Sequence, residues 1–308
     1  MIGRICGTGS YAPVESMDNN DLAKLVDTND EWIRERTGIV RRHIAKEETT
    51  VFMAAQAAKR ALENAKILPE EIEMILVATF SSEKLLPSTA CEVQKEIGAT
   101  KAVCMDLNAA CTGFLFAYNT AQTYIAAGIY KTVLVIGTES LSKRVDWTDR
   151  GTCILFGDGA GAVVMRAEEG ELLPMKAYSN GSGGGVLTCE EPEKKIQMDG
   201  RRVFEFAVRK VPEVVKELLE TAGISKEDIA LYILHQANER IVTAVAKRLE
   251  VGLERFPMNL SEYGNTSAAS IPILLDELNR EGKLKKGSYL VFAGFGAGLS
   301  WGASLVRW

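Results

Sequence analysis

The 308-residue sequence predicts an α/β protein built from two similar halves. Three observations carry that prediction. The halves repeat in order with a period of about 150 residues, which is the mark of an internal duplication. Their strand segments are continuous apolar runs, as expected of sheets covered on both faces. One helical stretch, Ala109 to Ala127, is apolar nearly all round, so it belongs between layers and not on a surface.

The elements follow in matching order. Val51-Phe52 opens an alanine-rich helix that stops before "ILPEEIEMILVATF" (Ile67 to Phe80), a short acidic turn and a buried strand. Val203-Phe204 opens a second helix that stops before "ISKEDIALYILHQAN" (Ile224 to Asn238), the same arrangement. "MDLNAACTGFLFAYNTA" (Met105 to Ala121) corresponds to "MNLSEYGNTSAASIPILLDEL" (Met258 to Leu278), each expected to be a short strand running into a helix. In the first of these helices Phe114, Ala117, Tyr118, Ala121 and Ile125 form one stripe, and Gly128 supplies the stop. "KTVLVIG" (Lys131 to Gly137) pairs with "GSYLVFAG" (Gly287 to Gly294), and "GAVVM" (Gly161 to Met165) with "GASLV" (Gly302 to Val306). The alternation implies two mostly parallel sheets packed through shared central helices, with residues 1–170 as the first half and 171–308 as the second.

Composition narrows the function. A net charge of −5 argues against a general nucleic-acid binder, whose phosphate contacts need a basic surface. No apolar run is long enough to span a bilayer and no signal-peptide core begins the chain, so a cytoplasmic protein without membrane insertion is expected. The six cysteines have no CxxC pair and no histidine at zinc-finger spacing, which argues against a structural metal and a disulfide framework. "GTGSYA" (Gly7 to Ala12) and "GDGAGA" (Gly157 to Ala162) fit GxGxxA, but neither opens a helix, so they read as tight backbone packing and not as dinucleotide sites.

Only two histidines, His43 and His235, are present to do acid-base work near neutral pH. In open α/β sheets ligands gather beyond the carboxyl ends of strands. Cys111 stands at such an end, expected in the first turn of the buried helix where the dipole favours a thiolate. His235 follows the apolar "LYIL" (Leu231 to Leu234) at the equivalent end of the second half. Asn265 begins the helix that mirrors the cysteine helix, where an N-cap is its plain role. The duplication brings Asn265 in from the side opposite Cys111. Together the three suit a thioester on cysteine, with His and Asn donating hydrogen bonds to an oxyanion on a second substrate. "GFGAGLSWG" (Gly294 to Gly302) offers backbone amides at another strand end.

Seven strings, in order along nearly the whole chain, resemble the β-ketoacyl-acyl-carrier-protein synthase III family. They are "TNDEWIRERTGI" (Thr28 to Ile39), "DLNAACTGF" (Asp106 to Phe114), "TDRGT" (Thr148 to Thr152), "FGDGAGA" (Phe156 to Ala162), "HQAN" (His235 to Asn238), "YGNTSAASIP" (Tyr263 to Pro272) and "GLSWG" (Gly298 to Gly302). The resemblance implies a thiolase-like five-layered αβαβα fold from two βαβαβαββ halves, and a homodimer. It also implies an acyltransferase that starts fatty-acid synthesis from an acyl-CoA primer and malonyl-acyl-carrier protein, with no permanently bound cofactor.

Carried over by motif, Cys111 takes the acyl group, the amides of Cys111 and Ala297 form the oxyanion hole, and His235 with Asn265 stabilises the enolate left by decarboxylation. Trp32 and Arg150 match the pair that sandwiches the CoA adenine; Thr28, Arg36, Phe204 and Asn238 match further CoA and pantetheine contacts. Gln236, Ala237, Asn238, Glu239 and Arg240 match the carrier-protein segment, and Arg240, Lys247 and Arg248 share one helix face that suits an acidic partner. Glu205 and Glu239 depart from a lysine and an apolar residue common in relatives. Leu86 stands at the acyl-pocket position that holds phenylalanine in an acetyl-selective pattern, and Ala297 replaces a glycine. Two-histidine elongating synthases need a second catalytic histidine, but His43 lies in "VRRHIA" (Val40 to Ala45), which matches a non-catalytic stretch of the family; thiolases need a second cysteine near the C-terminal glycine loop, and none occurs after Cys189. A starter-unit synthase of polyketide metabolism is the nearest alternative. A Cys-His-Asn hydrolase and an inactive acyl-CoA-binding protein are the readings from other classes.

Overall fold

Thirteen strands and their helices are described over residues 1–308 in a computed structural model. The first sheet is assembled from β1 (Ile2–Tyr11), β2 (Met74–Ala78), β3 (Val103–Leu107), β4 (Thr132–Glu139) and β5 (Gly159–Glu168), in the order β1-β5-β4-β2-β3. β2 runs parallel to both β3 and β4, while β5 runs antiparallel to β4 and β1. The second sheet holds β6 (Met175–Ser179), β7 (Ile229–Leu234), β8 (Tyr289–Gly296) and β9 (Ser300–Arg307), in the order β7-β8-β9-β6. Here a single parallel pair, β7 with β8, adjoins antiparallel closing strands. Every residue of β2 and β4 is buried, as the continuous apolar runs MILVA and VLVIG within them lead one to expect.

Helices fill the remaining layers. α1 (Asp30–Thr37) lies outside the repeat; α2 (Thr50–Ala65) and α3 (Thr89–Ile97) pack on the outer face of the first sheet. α4 (Gly113–Ala126) lies between the sheets, and α5 (Gly200–Ala222) and α6 (Glu239–Leu249) cover the outer face of the second sheet. α7 (Ser270–Arg280) shares the middle layer with α4. Phe114, Tyr118 and Ile125 of α4 join Ile271 and Leu275 of α7, with Phe292 of β8 and Val135 of β4, in one core cluster, so two central helices bind both sheets. The order of layers is αβαβα. No helix is long and apolar enough to cross a membrane.

The glycine strings act through close packing. A Cβ on Gly7 or Gly9 of β1 would lie 2.4 and 2.3 Å from the carbonyl oxygens of Ala61 and Ala57, so bare glycine lets α2 sit directly on the sheet.

The structure differs from the sequence reading in three places. Neither sheet is mostly parallel: two of the four strand pairs in the first sheet and one of the three in the second are parallel, because the closing strands return antiparallel. No strand forms at Met258, so the second half lacks a counterpart of β3. Pro257 removes one backbone donor, and the Asn259 amide is taken by the Gln236 side chain, 3.2 Å away, before a helical turn begins at Leu260. The buried helix begins at Gly113 and not at Ala109, because Ala110 adopts φ of +45° and its amide turns to Asn108 Oδ1. Cys111 therefore sits in a separate 3₁₀ turn, Ala110–Thr112, ahead of the helix.

Candidate active site

Two mirrored turns build the site. Ala110–Thr112 precedes α4 and Ser267–Ala269 precedes α7; each begins with a positive φ, +45° at Ala110 and +49° at Ser267. Two residues before each of these stands an asparagine whose Oδ1 accepts the amide of the positive-φ residue, Asn108 at 3.4 Å and Asn265 at 2.9 Å. Cys111 in one turn corresponds to Ala268 in the other. Asn265 is no N-cap: its backbone bridges to Phe156, with its amide 2.8 Å from the Leu155 carbonyl and its own carbonyl accepting from Gly157. Tight spacing fixes both turns. A Cβ on Gly296 would come within 2.8 Å of the Cys111 Cβ, and one on Gly137 would strike the Ala268 carbonyl.

Cys111, His235 and Asn265 line one cavity of about 350 Å³, and all three are buried. Cys111 also borders a second, smaller cavity of about 180 Å³, walled by Phe80, Leu187, Ile196, Ser267 and Ala297. The nucleophile thus stands where two spaces meet. His235 extends from the end of β7, its amide held by the Ala293 carbonyl at 2.9 Å and its ring edge-on to Phe295. Its Nδ1 lies 2.7 Å from Ser270 Oγ. Burial drives the imidazolium pKa down to about 3, so the ring is neutral at physiological pH.

Burial acts on the thiol against the helix dipole. It pushes Cys111 up to about 12, with the Ser267 hydroxyl opposing the rise and the Glu139 charge adding to it. The resting cysteine is a thiol, not the thiolate expected from its place ahead of a helix.

Other predicted residues divide into three groups. Arg36, Phe204, Ala237, Asn238 and Arg240 line the larger cavity with the trio. Asn238 caps α6 and its Nδ2 donates to the Arg36 carbonyl at 3.0 Å, while Arg240 lies 5.6 Å over the Phe204 ring. Trp32, Arg150 and Thr28 stand outside that cavity: the Arg150 guanidinium lies 4.9 Å over the Trp32 indole and donates to the Asp27 carbonyl, and Thr28 Oγ1 is buried without a partner. Glu239 and Lys247 flank a polar groove with Arg34 and Arg240, Arg248 is exposed beside them, and Glu205 ion-pairs with Arg201.

One expectation is corrected. Gln236 cannot meet a carrier protein, because it is 1% exposed and its side chain bonds the Leu234 carbonyl and the Asn259 amide. Leu86 is 86% exposed on a loop and lines neither cavity of its own chain. Sequence reasoning passed over Ser267, Ser270 and Glu139, all of which adjoin the trio. Glu139 carried a legible signal, since it is a carboxylate at the end of an otherwise uncharged strand.

A duplicated αβαβα body with cysteine, histidine and asparagine gathered at its strand ends defines the class of thiolase-fold condensing enzymes. Two family models match: 3-oxoacyl-[acyl-carrier-protein] synthase III over residues 105–181, and the C-terminal part of the same synthase over residues 219–308. Beta-ketoacyl-[acyl-carrier-protein] synthase III of Clostridium acetobutylicum is 49% identical, over 99% of this chain and 98% of that protein. The crystal structure of 3-oxoacyl-[acyl-carrier-protein] synthase III from Aquifex aeolicus superposes with a TM-score of 0.97 at 48% identity, covering 99% of this chain and 100% of that one. The priming β-ketosynthase of the R1128 polyketide pathway superposes with a TM-score of 0.95 at 36% identity, covering 99% and 96%. The chain belongs to the β-ketoacyl-[acyl-carrier-protein] synthase III family, whose members are acyl-transferring condensing enzymes.

Proposed function

We propose that this chain moves an acyl group from an acyl-CoA primer to Cys111 and condenses it with malonyl-acyl-carrier protein, releasing CoA and carbon dioxide. The observation that carries the reading is the meeting of Cys111, His235 and Asn265 in a buried cavity that also reaches Arg36, Phe204 and Asn238. Sulfur attacks the primer carbonyl, and the amides of Cys111 and Ala297 receive the oxyanion. The acyl chain enters the smaller apolar cavity beyond the sulfur.

In the second half-reaction charge develops on the malonyl thioester oxygen as carbon dioxide leaves. Neutral His235 and Asn265 are the donors. Asn265 spends its Oδ1 on the Ser267 amide, which leaves Nδ2–H₂ for the substrate. A neutral imidazole donates without first losing a charge, so its depressed pKa suits this role. The carbanion then attacks the Cys111 thioester, and the β-ketoacyl product departs on the carrier.

This chemistry needs no resident cofactor, since CoA and phosphopantetheine arrive as parts of substrates. The Trp32 face and Arg150 suit an adenine, and the unpartnered Thr28 hydroxyl suits a polar CoA group near them. Arg34, Arg240 and Lys247 around the polar groove, with Arg248 beside it, suit an acidic carrier protein. The enzyme works as a homodimer in the cytoplasm, where its substrates are. Support for pairing comes from β3, an edge strand of the first sheet with Val103 and Met105 exposed. Leu86, exposed on a loop and lining neither cavity of its own chain, suits an acyl pocket shared with the second copy. The two halves are residues 1–170 and 171–308, as sheet membership suggests. Likeness to a polyketide priming enzyme favours a second reading with the same chemistry and a different carrier.

The test is to mix the protein with acetyl-CoA and malonyl-acyl-carrier protein. The reading predicts β-ketoacyl carrier protein and equimolar carbon dioxide; free acid alone would mean a hydrolase, and no reaction with any acyl-CoA a binding protein.

A further inference from the structure

The two half-reactions leave one buried carboxyl unused. Glu139 ends β4, is fully buried and has no ion-pair partner. Its Oε2 accepts from Thr79 Oγ1 at 3.2 Å, the Phe80 amide at 3.3 Å and the Ser81 hydroxyl. Its Oε1 accepts from Ser267 Oγ at 3.3 Å. Ser267 in turn lines the smaller cavity together with Cys111, and its hydroxyl opposes the rise that burial imposes on the thiol. A hydroxyl from the second half therefore stands bonded to a buried carboxyl of the first half and shares a cavity wall with the thiol.

We propose that Glu139 is the proton acceptor that activates Cys111, acting through the Ser267 hydroxyl. This deepens, and rests on, the acyl-transfer reading. The Cys111 S–H bond breaks as its proton passes to Ser267 Oγ, while the Ser267 O–H proton passes to Glu139 Oε1, leaving a thiolate and a carboxylic acid. The hydrogen bonds then run the other way: Glu139 donates to Ser267 and Ser267 donates to the thiolate, so one hydroxyl serves both states. Sulfur attacks the primer, the carbon–sulfur bond to CoA breaks, and the departing CoA thiolate takes up the proton that Glu139 gave back. The half-reaction is proton-neutral and needs no further reactant.

The alternative base is His235, and the environment decides between them. Burial raises the thiol to about 12 and the Glu139 carboxyl to about 8, while it lowers the His235 imidazolium to about 3. The carboxylate is therefore much the stronger base, and its value lies near the working pH where a general base acts best. The titratable groups facing Glu139 are Cys111 and Cys189, both of which feel its charge; Arg144 acts on Cys189, and beyond Thr50 Glu83 pairs with Lys143 at 3.5 Å.

Single-turnover acylation by acetyl-CoA, followed by quenched intact mass from pH 6 to 9, tests the relay. The wild type is expected to accelerate about tenfold per pH unit and level off near pH 8. Ser267→Ala and Glu139→Gln are expected to acylate at least about a hundredfold more slowly at pH 7, with a rate that keeps climbing past pH 8 as hydroxide replaces the lost base. Alanine fits the Ser267 backbone, since Ala110 holds nearly the same φ in the mirrored turn, so this variant decides the matter even where Glu139→Gln misfolds. A wild-type protein that never acylates overturns the acyl-transfer reading itself. A normally acylating wild type with a Ser267→Ala variant that keeps the same levelling near pH 8, slow or fast, overturns the relay.

Discussion

His235 Nδ1 lies 2.7 Å from Ser270 Oγ, and the same oxygen accepts the Gln236 amide at 3.3 Å. A buried hydroxyl that already accepts one bond has a proton to give, and Nδ1 is its partner. With Nδ1 accepting, the neutral ring carries its proton on Nε2, the nitrogen left to donate to the malonyl oxygen. Ser270→Ala should lower malonyl decarboxylation about tenfold or more while Cys111 still acylates. With only two histidines, ¹⁵N-histidine NMR can follow the cause: the Nε2–H form should dominate in the wild type, stay neutral from pH 5 to 8, and mix with the other tautomer in the variant.

Trp32 and Arg150 sit too close, at 4.9 Å, for a base to lie between them, so binding an adenine requires the guanidinium to lift and release the Asp27 carbonyl. The stacking face is worth roughly 1 to 2 kcal/mol. Trp32→Ala should raise KM for acyl-CoA about tenfold with kcat little changed. An acyl-pantetheine substrate, lacking the adenine, should show no difference between wild type and variant.

Stability should carry the signature of two oppositely perturbed groups. His235 is held down from 6.5 to about 3, so the unfolded state binds the extra proton in that interval and stability rises with pH there. Glu139 is raised from 4.5 to about 8, so the folded state holds the extra proton and stability falls as pH climbs toward 8. Between pH 4.5 and 6.5 the two slopes oppose each other. From 6.5 to 8 Glu139 remains, and denaturant unfolding should show a loss of up to about 1.4 kcal/mol per pH unit. Glu139→Gln should flatten that interval.

β3 presents an unpaired edge with Met105 at 37% and Val103 at 50% exposure. Such an edge pairs with another unless charge blunts it. If the proposed homodimer forms through this edge, Met105→Lys should leave the chain monomeric in sedimentation analysis where the wild type sediments as a dimer. If Leu86 serves the second copy's acyl pocket, the same variant should also lose its preference among primers of different chain length.

Much of the fold was legible because duplication writes each element twice. The apolar runs of β2 and β4 find echoes in β7 and β8, and a helix as uniformly apolar as α4 has nowhere to lie but between sheets. The position after a parallel strand located Cys111 and His235 by the same reasoning. What escaped were features that depend on three-dimensional neighbours. The 3₁₀ turn at Cys111 arises from a positive φ at an alanine, which no propensity announces. The burial that keeps the thiol protonated is set by layers from both halves. Gln236 reads as a polar surface residue until the turn at Asn259 closes over it.

Mapping the site of acylation tests the central claim most directly. After brief incubation with acetyl-CoA alone, peptide mass analysis should find one stable acetyl group, on Cys111, in the wild type and in His235→Ala and Asn265→Ala. A Cys111→Ser variant should stay unlabelled throughout. Label on another residue, or a folded His235→Ala protein that fails to acylate, would contradict the division of labour between one cysteine and the His235–Asn265 pair.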